Sequence, residues 1–137
     1  MSKKILVFGG SGFIGRAVVL NLLSNGFKNI IVFDNKDPKI SGIKFIQGNI
    51  LNKDDFLKIP ACDIVLNFAA IANLDDSLSR IDTMLDVNIQ GVINTLKYSA
   101  QHKIDRYIFA SSMYVFGANG NFYGATKLAS DKIFVHS

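Results

Sequence analysis

The sequence predicts an α/β domain built on a doubly wound parallel sheet of at least five strands, contained within residues 1–137. Three observations carry that expectation. Short apolar runs alternate with stretches of helical spacing along the whole chain, with no internal repeat and no low-complexity linker. The first run is continuously apolar and ended by glycines, as a parallel strand buried on both faces is. Every motif with chemical content falls just after one of these runs, at the strand ends where such sheets hold ligands.

The elements follow in order. "KILVFGG" (residues 4–10) is the first strand. "FIGRAVVLNLLSNG" (13–26) places Ile14, Val18, Val19, Leu22 and Leu23 at helical spacing and stops at Gly26. "NIIVFD" (29–34) and "IKFIQGNI" (43–50) are the second and third strands, and "KDDFLKI" (53–59) is a short helix. "DIVLNFAA" (63–70) is the fourth strand. Residues 81–102 form one long helix, apolar on more than one face. "RYIFASS" (106–112) is the fifth strand and "YGATKLASDKIFVHS" (123–137) the last helix. Right-handed crossovers then wind helices onto both faces of the sheet.

Composition removes several function classes. A net charge of +4 is spread over scattered lysines, which describes a solvated surface and neither a nucleic-acid patch nor a membrane patch. The N-terminal "MSKKILVFGG" is too short for a signal peptide or a membrane span. Cys62 is the only cysteine, so no internal disulfide forms and a reducing cytoplasm suits the chain. Cys62 precedes an apolar run and is expected to pack there. His102 and His136 lack partners at metal-ligand spacing and fall near helix ends, so no metal site is expected.

"GGSGFIG" sets glycines at 9, 12 and 15 between the first strand and the first helix. A diphosphate needs bare backbone for close approach, and a helix N-terminus offers free N–H groups with about half a positive charge. The spacing is G-x-x-G-x-x-G, without the lysine of a P-loop. Three turn glycines are the plainer alternative, and position between strand and helix favours the binding reading. Asp34 ends the second strand, 19 residues after Gly15. A carboxylate there accepts both hydroxyls of an adenosine ribose, although the aspartate also suits a turn in "DNKDP". A 2′-phosphate about 4 Å from it would be opposed by roughly 4 kcal/mol at an effective dielectric of 20. NAD is therefore expected over NADP, with Lys36 offsetting part of the repulsion.

Tyr123 and Lys127 are four apart and share a helix face. A tyrosine acting as base near pH 7 needs a shift of roughly three units, or about 4 kcal/mol. A neighbouring ammonium and a positively charged nicotinamide both favour the phenolate. Ser112, at the end of the fifth strand, is placed to hold the same substrate oxygen. Y-x-x-x-K occurs often by chance, and it gains weight from the serine and the glycine loop upstream.

With these motifs, the chain resembles the extended short-chain dehydrogenase/reductase family, the NAD-dependent epimerases and dehydratases acting mainly on nucleotide sugars. The resemblance spans the chain through "GGSGFIG", Asp34 with Asn35, "GNI" (48–50), "NFAA" (67–70), "VNIQG" (87–91), "SSMYVFG" (111–117) and "YGATK" (123–127). It implies a Rossmann-like NAD(P)-binding domain over 1–137. The cofactor residues it implies are Gly9, Gly12, Phe13, Ile14, Gly15, Asp34, Asn35, Asn49, Ile50, Phe68, Ala69, Ala70, Asn88, Tyr123 and Lys127. Asn49 and Ile50 flank the adenine in that reading, and Asn88 braces the region near the active site. Ser112, Tyr123 and Lys127 are the catalytic trio, and Lys127 also binds the nicotinamide ribose.

The implied function is a nucleotide-sugar epimerase or reductase working by hydride transfer, in the cytoplasm. The alternative is a non-catalytic dinucleotide-binding module. Met113 stands where the family's dehydratases place an acidic pair, so dehydration is not expected. Asn49 replaces the family's usual aspartate, leaving its amide oxygen to meet the adenine amine. Asn67 replaces a frequent histidine with little consequence expected. The segment from Ser112 to Tyr123 is shorter than in many sugar epimerases. The family continues into a smaller substrate domain absent from these residues, so the chain is expected to be a fragment inactive by itself. A homodimer through helices 81–102 and 123–137 is the expected assembly.

Overall fold

The computed structural model describes residues 3–72 and 79–137. Its strands are β1 (Ile5–Phe8), β2 (Ile30–Asp34), β3 (Lys44–Gln47), β4 (Ile64–Asn67) and β5 (Arg106–Phe109). They form one parallel sheet in the order β3-β2-β1-β4-β5, with Ile5 opposite both Ile30 and Ile64. The chain winds from β1 out to one edge and then crosses back to the other side through β4. A crevice opens at that reversal, beyond the C-terminal ends of β1 and β4.

Strand alternation feeds two cores, which explains why β1 is apolar at every position. Leu6, Phe8, Ile31, Phe33, Ile46 and Val65 go to one face. Ile5, Val7, Ile30, Val32 and Leu66 go to the other. Helix α1 (Phe13–Ser24) covers the second face through Val18, Val19, Leu22 and Leu23. It ends where Gly26 takes φ +87°, a conformation that leaves the helix and costs a glycine little. Phe56 and Tyr98 close the first face, with Phe8 and Phe33 in edge-on and tilted ring contacts.

Two of the expected helices take different forms. The "KDDFLKI" segment is a 3₁₀ helix (Lys53–Lys58), capped by the Asn52 side chain on the Asp54 N–H at 3.1 Å. Six residues suffice to seat Phe56 in the core, so no longer helix is needed. The long helix is continuous but not uniform: α2 (Ile81–Leu85) and α3 (Gly91–Gln101) flank a π-helical turn over Asp86–Gln90. The wide turn buries Asn88, and its carbonyl takes the hydroxyl of Ser130 from the last helix, α4 (Asn121–Val135).

Helix α4 lies along β5 through Phe134, whose ring centre is 5.7 Å from those of Tyr107 and Phe109. Ile108, between them in sequence, points to the opposite face and is 47% exposed. Among the described residues no helix is long and apolar enough to cross a membrane.

The tightest backbone packing is at the first turn of α1. A Cβ on Gly15 would fall well inside contact distance of the Gly9 carbonyl oxygen. Gly15→Ala is therefore expected to lower stability by about 1–3 kcal/mol, read as a reduced urea midpoint with an unchanged slope.

Candidate active site

The crevice at the sheet reversal is a cavity of about 500 Å³. The loop after β1 supplies Gly9 and Gly12, and the end of β2 supplies Asp34 and Asn35. The loop after β3 supplies Asn49 and Ile50, and the loop after β4 supplies Phe68, Ala69 and Ala70. Lys36, expected beside Asp34, also lines it, as do Ser11, Arg80 and Thr83, which were not singled out from the sequence.

The three loop glycines separate by role. Gly9, at φ +75°, brings its loop so close to β4 that a Cβ would lie 2.5 Å from the Ala69 nitrogen. Gly15 faces the Gly9 carbonyl and does not line the cavity, so its bareness serves helix–loop packing and not direct cofactor contact. Gly12 is different. It caps α1 in an extended conformation open to any residue (φ −76°, ψ 173°). A Cβ there would meet only the Gly9 oxygen, at 3.4 Å. Among the described residues nothing requires a glycine at this position, which lines the cavity at the N-terminus of a helix. That is the cradle a diphosphate fits. Phe13 and Ile14 are 97% and 61% exposed, so what they bring to this cradle is their backbone N–H groups at the start of α1.

Asp34 braces the cradle. Its Oδ2 accepts from the Ser11 N–H at 3.0 Å and its Oδ1 from the Lys36 N–H at 3.2 Å. A carboxylate has about four lone-pair sites, so each oxygen retains one for a ligand hydroxyl. At Asn49 the amide oxygen already accepts from the Leu51 N–H at 2.9 Å, which leaves one lone pair for an adenine amine.

Asn67 corrects the expectation of little consequence. It is buried at the end of β4, and its Nδ2 donates to Thr95 Oγ1 at 3.2 Å and to the Tyr107 hydroxyl at 2.7 Å. Its oxygen accepts from the Ala69 N–H at 3.0 Å, so this side chain sets the cavity wall. Asn88 likewise does not line the cavity. Its oxygen accepts from the Ile71 N–H at 2.8 Å, while Nδ2 donates to the Ile71 carbonyl and to Thr126 Oγ1, both at 3.0 Å. It braces the loop after β4 against α4, and its amide is spent on protein.

Ser112 follows β5, Lys127 is tied to Ala110 at the end of that strand, and Tyr123 lies one turn before Lys127 on α4, all outside the lining of this cavity. Lys127 is 4% exposed. Its Nζ donates to the Ala110 carbonyl at 2.6 Å and stands 4.1 Å from the centre of the Phe109 ring. Burial pushes its ammonium down from the ordinary 10.5 to about 8, and the negative charge of Asp131 offsets part of that shift. Ser112 caps the 3₁₀ turn Met113–Phe116, accepting from the Tyr114 N–H at 3.3 Å and keeping its own hydroxyl proton to donate. The Tyr114 ring meets Tyr123 edge-on, with centres 6.1 Å apart.

Tyr114 thus links Ser112 to Tyr123, a role the sequence reading missed. The available signal was the pair Gly120 and Gly124. A Cβ at Gly120 would lie 2.7 Å from Tyr114 Cβ, and one at Gly124 would lie 3.0 Å from the Tyr114 carbonyl.

The other titratable residues behave as packing or surface groups. Cys62 is half-buried against the core, and burial pushes its thiol up, away from nucleophilic use. His102 and His136 are exposed at the C-terminal ends of α3 and α4.

Sheet order, glycine cradle and carboxylate at the end of β2 define a dinucleotide-binding doubly wound domain. Comparison with known proteins assigns the family. The NAD dependent epimerase/dehydratase family model matches residues 5–136. A bifunctional UDP-glucose 4-epimerase and UDP-xylose 4-epimerase 1 of Pisum sativum is 32% identical over 164 aligned positions, covering 96% of this chain and 47% of the relative. A UDP-glucose 4-epimerase from Brucella ovis, solved in complex with NAD, superposes with a TM-score of 0.87 at 25% identity, over 98% of this chain and 47% of that one. Another UDP-glucose 4-epimerase structure gives 0.88 at 26% identity, with the same coverage.

The chain belongs to the NAD dependent epimerase/dehydratase family and spans about half the length of the curated relatives it matches. The alignment with the pea protein is longer than the 137 residues of this chain, so that relative carries insertions absent here.

Lys127 generates a pH-dependent prediction. Between about pH 8 and 10.5 the unfolded chain holds the proton that folded Lys127 has released, so stability gained from this residue rises with pH across that window. Cys62, Tyr98 and Tyr107 are pushed up by burial and act in the opposite sense at the alkaline end. The difference in urea midpoint between the unmodified chain and Lys127→Met isolates the lysine. That difference should move in favour of the unmodified chain from pH 7.5 to 9.5.

Proposed function

We propose that this chain is the NAD-binding and acid–base portion of a nucleotide-sugar epimerase acting on UDP-sugars. The observation that carries the reading is the tie from Lys127 to Ala110. It sets a buried ammonium at the C-terminal end of β5, on the same sheet edge as the Gly12 cradle. A module that only bound a dinucleotide would have no chemical need for a serine and a tyrosine beside a lysine buried at such a strand end, where the charged form is disfavoured. The names of the relatives support the choice of substrate class and of epimerisation over reduction.

In this reading the N-terminus of α1 with Gly12 takes the diphosphate, and Asp34 takes the adenosine ribose. Ile50 and Asn49 border the adenine, while Phe68, Ala69 and Ala70 form the wall between the two halves of the cofactor. NAD, when bound, supplies a nicotinamide that reversibly takes up a hydride from a sugar carbon. The protein handles the proton. The Ser112 hydroxyl holds the substrate oxygen, the Tyr123 phenol removes and returns its proton, and the Lys127 ammonium favours the phenolate through charge. Homodimerisation through α2–α3 and α4 belongs to the same proposal, supported by the exposed Leu85, Leu128 and Val135 on those helices.

Two measurements test the reading. By calorimetry NAD should bind at least about tenfold more tightly than NADP, a difference of about 1.4 kcal/mol. Asp34→Ala should narrow that gap, and Gly12→Ala should weaken both cofactors while leaving the urea midpoint nearly unchanged. Equal affinities for NAD and NADP in the unmodified chain would remove the ribose role of Asp34. In the full-length protein, with UDP-glucose as substrate, Tyr123→Phe should lower kcat by about 10²–10⁴ with NAD affinity unaltered. Full turnover in that variant would rule out the phenol as the acid–base group.

A further inference from the structure

Asp131 lies four residues beyond Lys127 on α4, one helical turn away on the same face. Its Oδ2 accepts the Ser111 hydroxyl at 2.5 Å, the length of a charge-assisted bond to an ionised carboxylate. Its Oδ1 is buried and, among the described residues, is the buried side-chain atom without a hydrogen-bond partner. A neutral amide would satisfy Ser111 equally well. A buried carboxylate oxygen without a hydrogen-bond partner calls for some other compensation nearby.

The ammonium of Lys127, one turn back on α4 and bonded to the residue next to Ser111, is a charge of the sign that could compensate, and it is itself poorly supported. Its direct contacts, the Ala110 carbonyl and the Phe109 ring, are neutral. The groups around it are few in kind. β5 and the residue after it present Phe109 and Ala110. The π-helical turn presents Asn88 through Thr126. The 3₁₀ turn presents Tyr114 against Tyr123. Among the described residues, Asp131 is the charged group that acts on Lys127, from one turn along the same helix. The two charges act through space, since one is bonded to Ala110 and the other to Ser111.

We propose that Asp131 is a positioning residue that holds Lys127 in its ammonium form while its bond to Ser111 fixes the strand end carrying Ser112. The inference rests on the acid–base role proposed above for Lys127 and adds the group that maintains it. One carboxylate then does two jobs at once. It sets the charge that poises Tyr123, and it anchors Ser111, the residue next to Ser112, to the helix bearing the tyrosine.

The test is a direct titration of Lys127 in this chain by ¹³Cε and ¹⁵Nζ NMR, with the resonance assigned by its loss in Lys127→Met. Asp131→Asn should move the titration to lower pH by about one unit, a tenfold loss of ammonium at a fixed alkaline pH. Ser111→Ala, which keeps the carboxylate, should leave it within a few tenths of a unit of the unmodified value. An unchanged Lys127 titration in a folded Asp131→Asn chain overturns the proposal and reduces Asp131 to a structural tie. Should Asp131→Asn not fold, a second variant decides. Asp131→Ser, which keeps a hydroxyl near Ser111, is then read by the same Lys127 titration as Asp131→Asn, and an unchanged lysine in that folded chain overturns the proposal. Failure of the unmodified chain to bind NAD strikes the cofactor reading alone, because the lysine titration is read without cofactor.

Discussion

The rest of the structure depends on a backbone-to-backbone approach at the start of α1. Gly15 sits against the Gly9 carbonyl, and Gly9 sits against the Ala69 nitrogen of the loop after β4. Side chains at either position would push helix, loop and strand end apart. Because they are bare, α1 begins directly over the crevice with its first N–H groups aimed at the space in front of Gly12. Asp34 then completes the frame from β2 by taking the Ser11 N–H. The ends of β1, β2 and β4, far apart in sequence, all border the cavity there.

A second constraint places the chemistry. Buried polar groups must find partners, and here those partners lie on distant elements. Asn67 joins β4 to Thr95 of α3 and Tyr107 of β5. Asn88, exposed inward by the π-helical turn, joins the loop after β4 to Thr126 of α4. Ser130 returns the connection by donating to the Asn88 carbonyl. Each bond is modest alone, but an unmatched member would be costly in the interior. The effect is registry: α4 can settle against β5 in one position along its axis, and that position sets Tyr123 and Lys127 at the strand end.

The segment between Ser112 and Tyr123 is short and packs around one side chain. Two 3₁₀ turns fold Tyr114 beneath the start of α4, where Gly120 and Gly124 make room for it. Its N–H orients the Ser112 oxygen and its ring supports Tyr123. Serine and tyrosine are thus positioned by a residue between them in sequence, with no longer excursion of the chain.

Strands, glycine loop and Y-x-x-x-K pair were legible in the sequence because each is written in local terms: a continuous apolar run, a turn that needs no side chain, a four-residue helical repeat. The sequence by itself therefore determined the doubly wound sheet, the edge at which ligands bind, and the residue types present there. It did not show that Gly15 packs against the Gly9 carbonyl while Gly12 lines the open cavity, since both are glycines of one motif and differ only in what faces them. Nor did it show the π-helical turn at Asn88, the Asn67 network or the charge state of Lys127. Those were decided by tertiary structure. Their partners lie far along the chain, as Asn67 and Tyr107 do at 40 residues apart. Burial and opposing charge at a residue are sums over such neighbours, which no local pattern encodes.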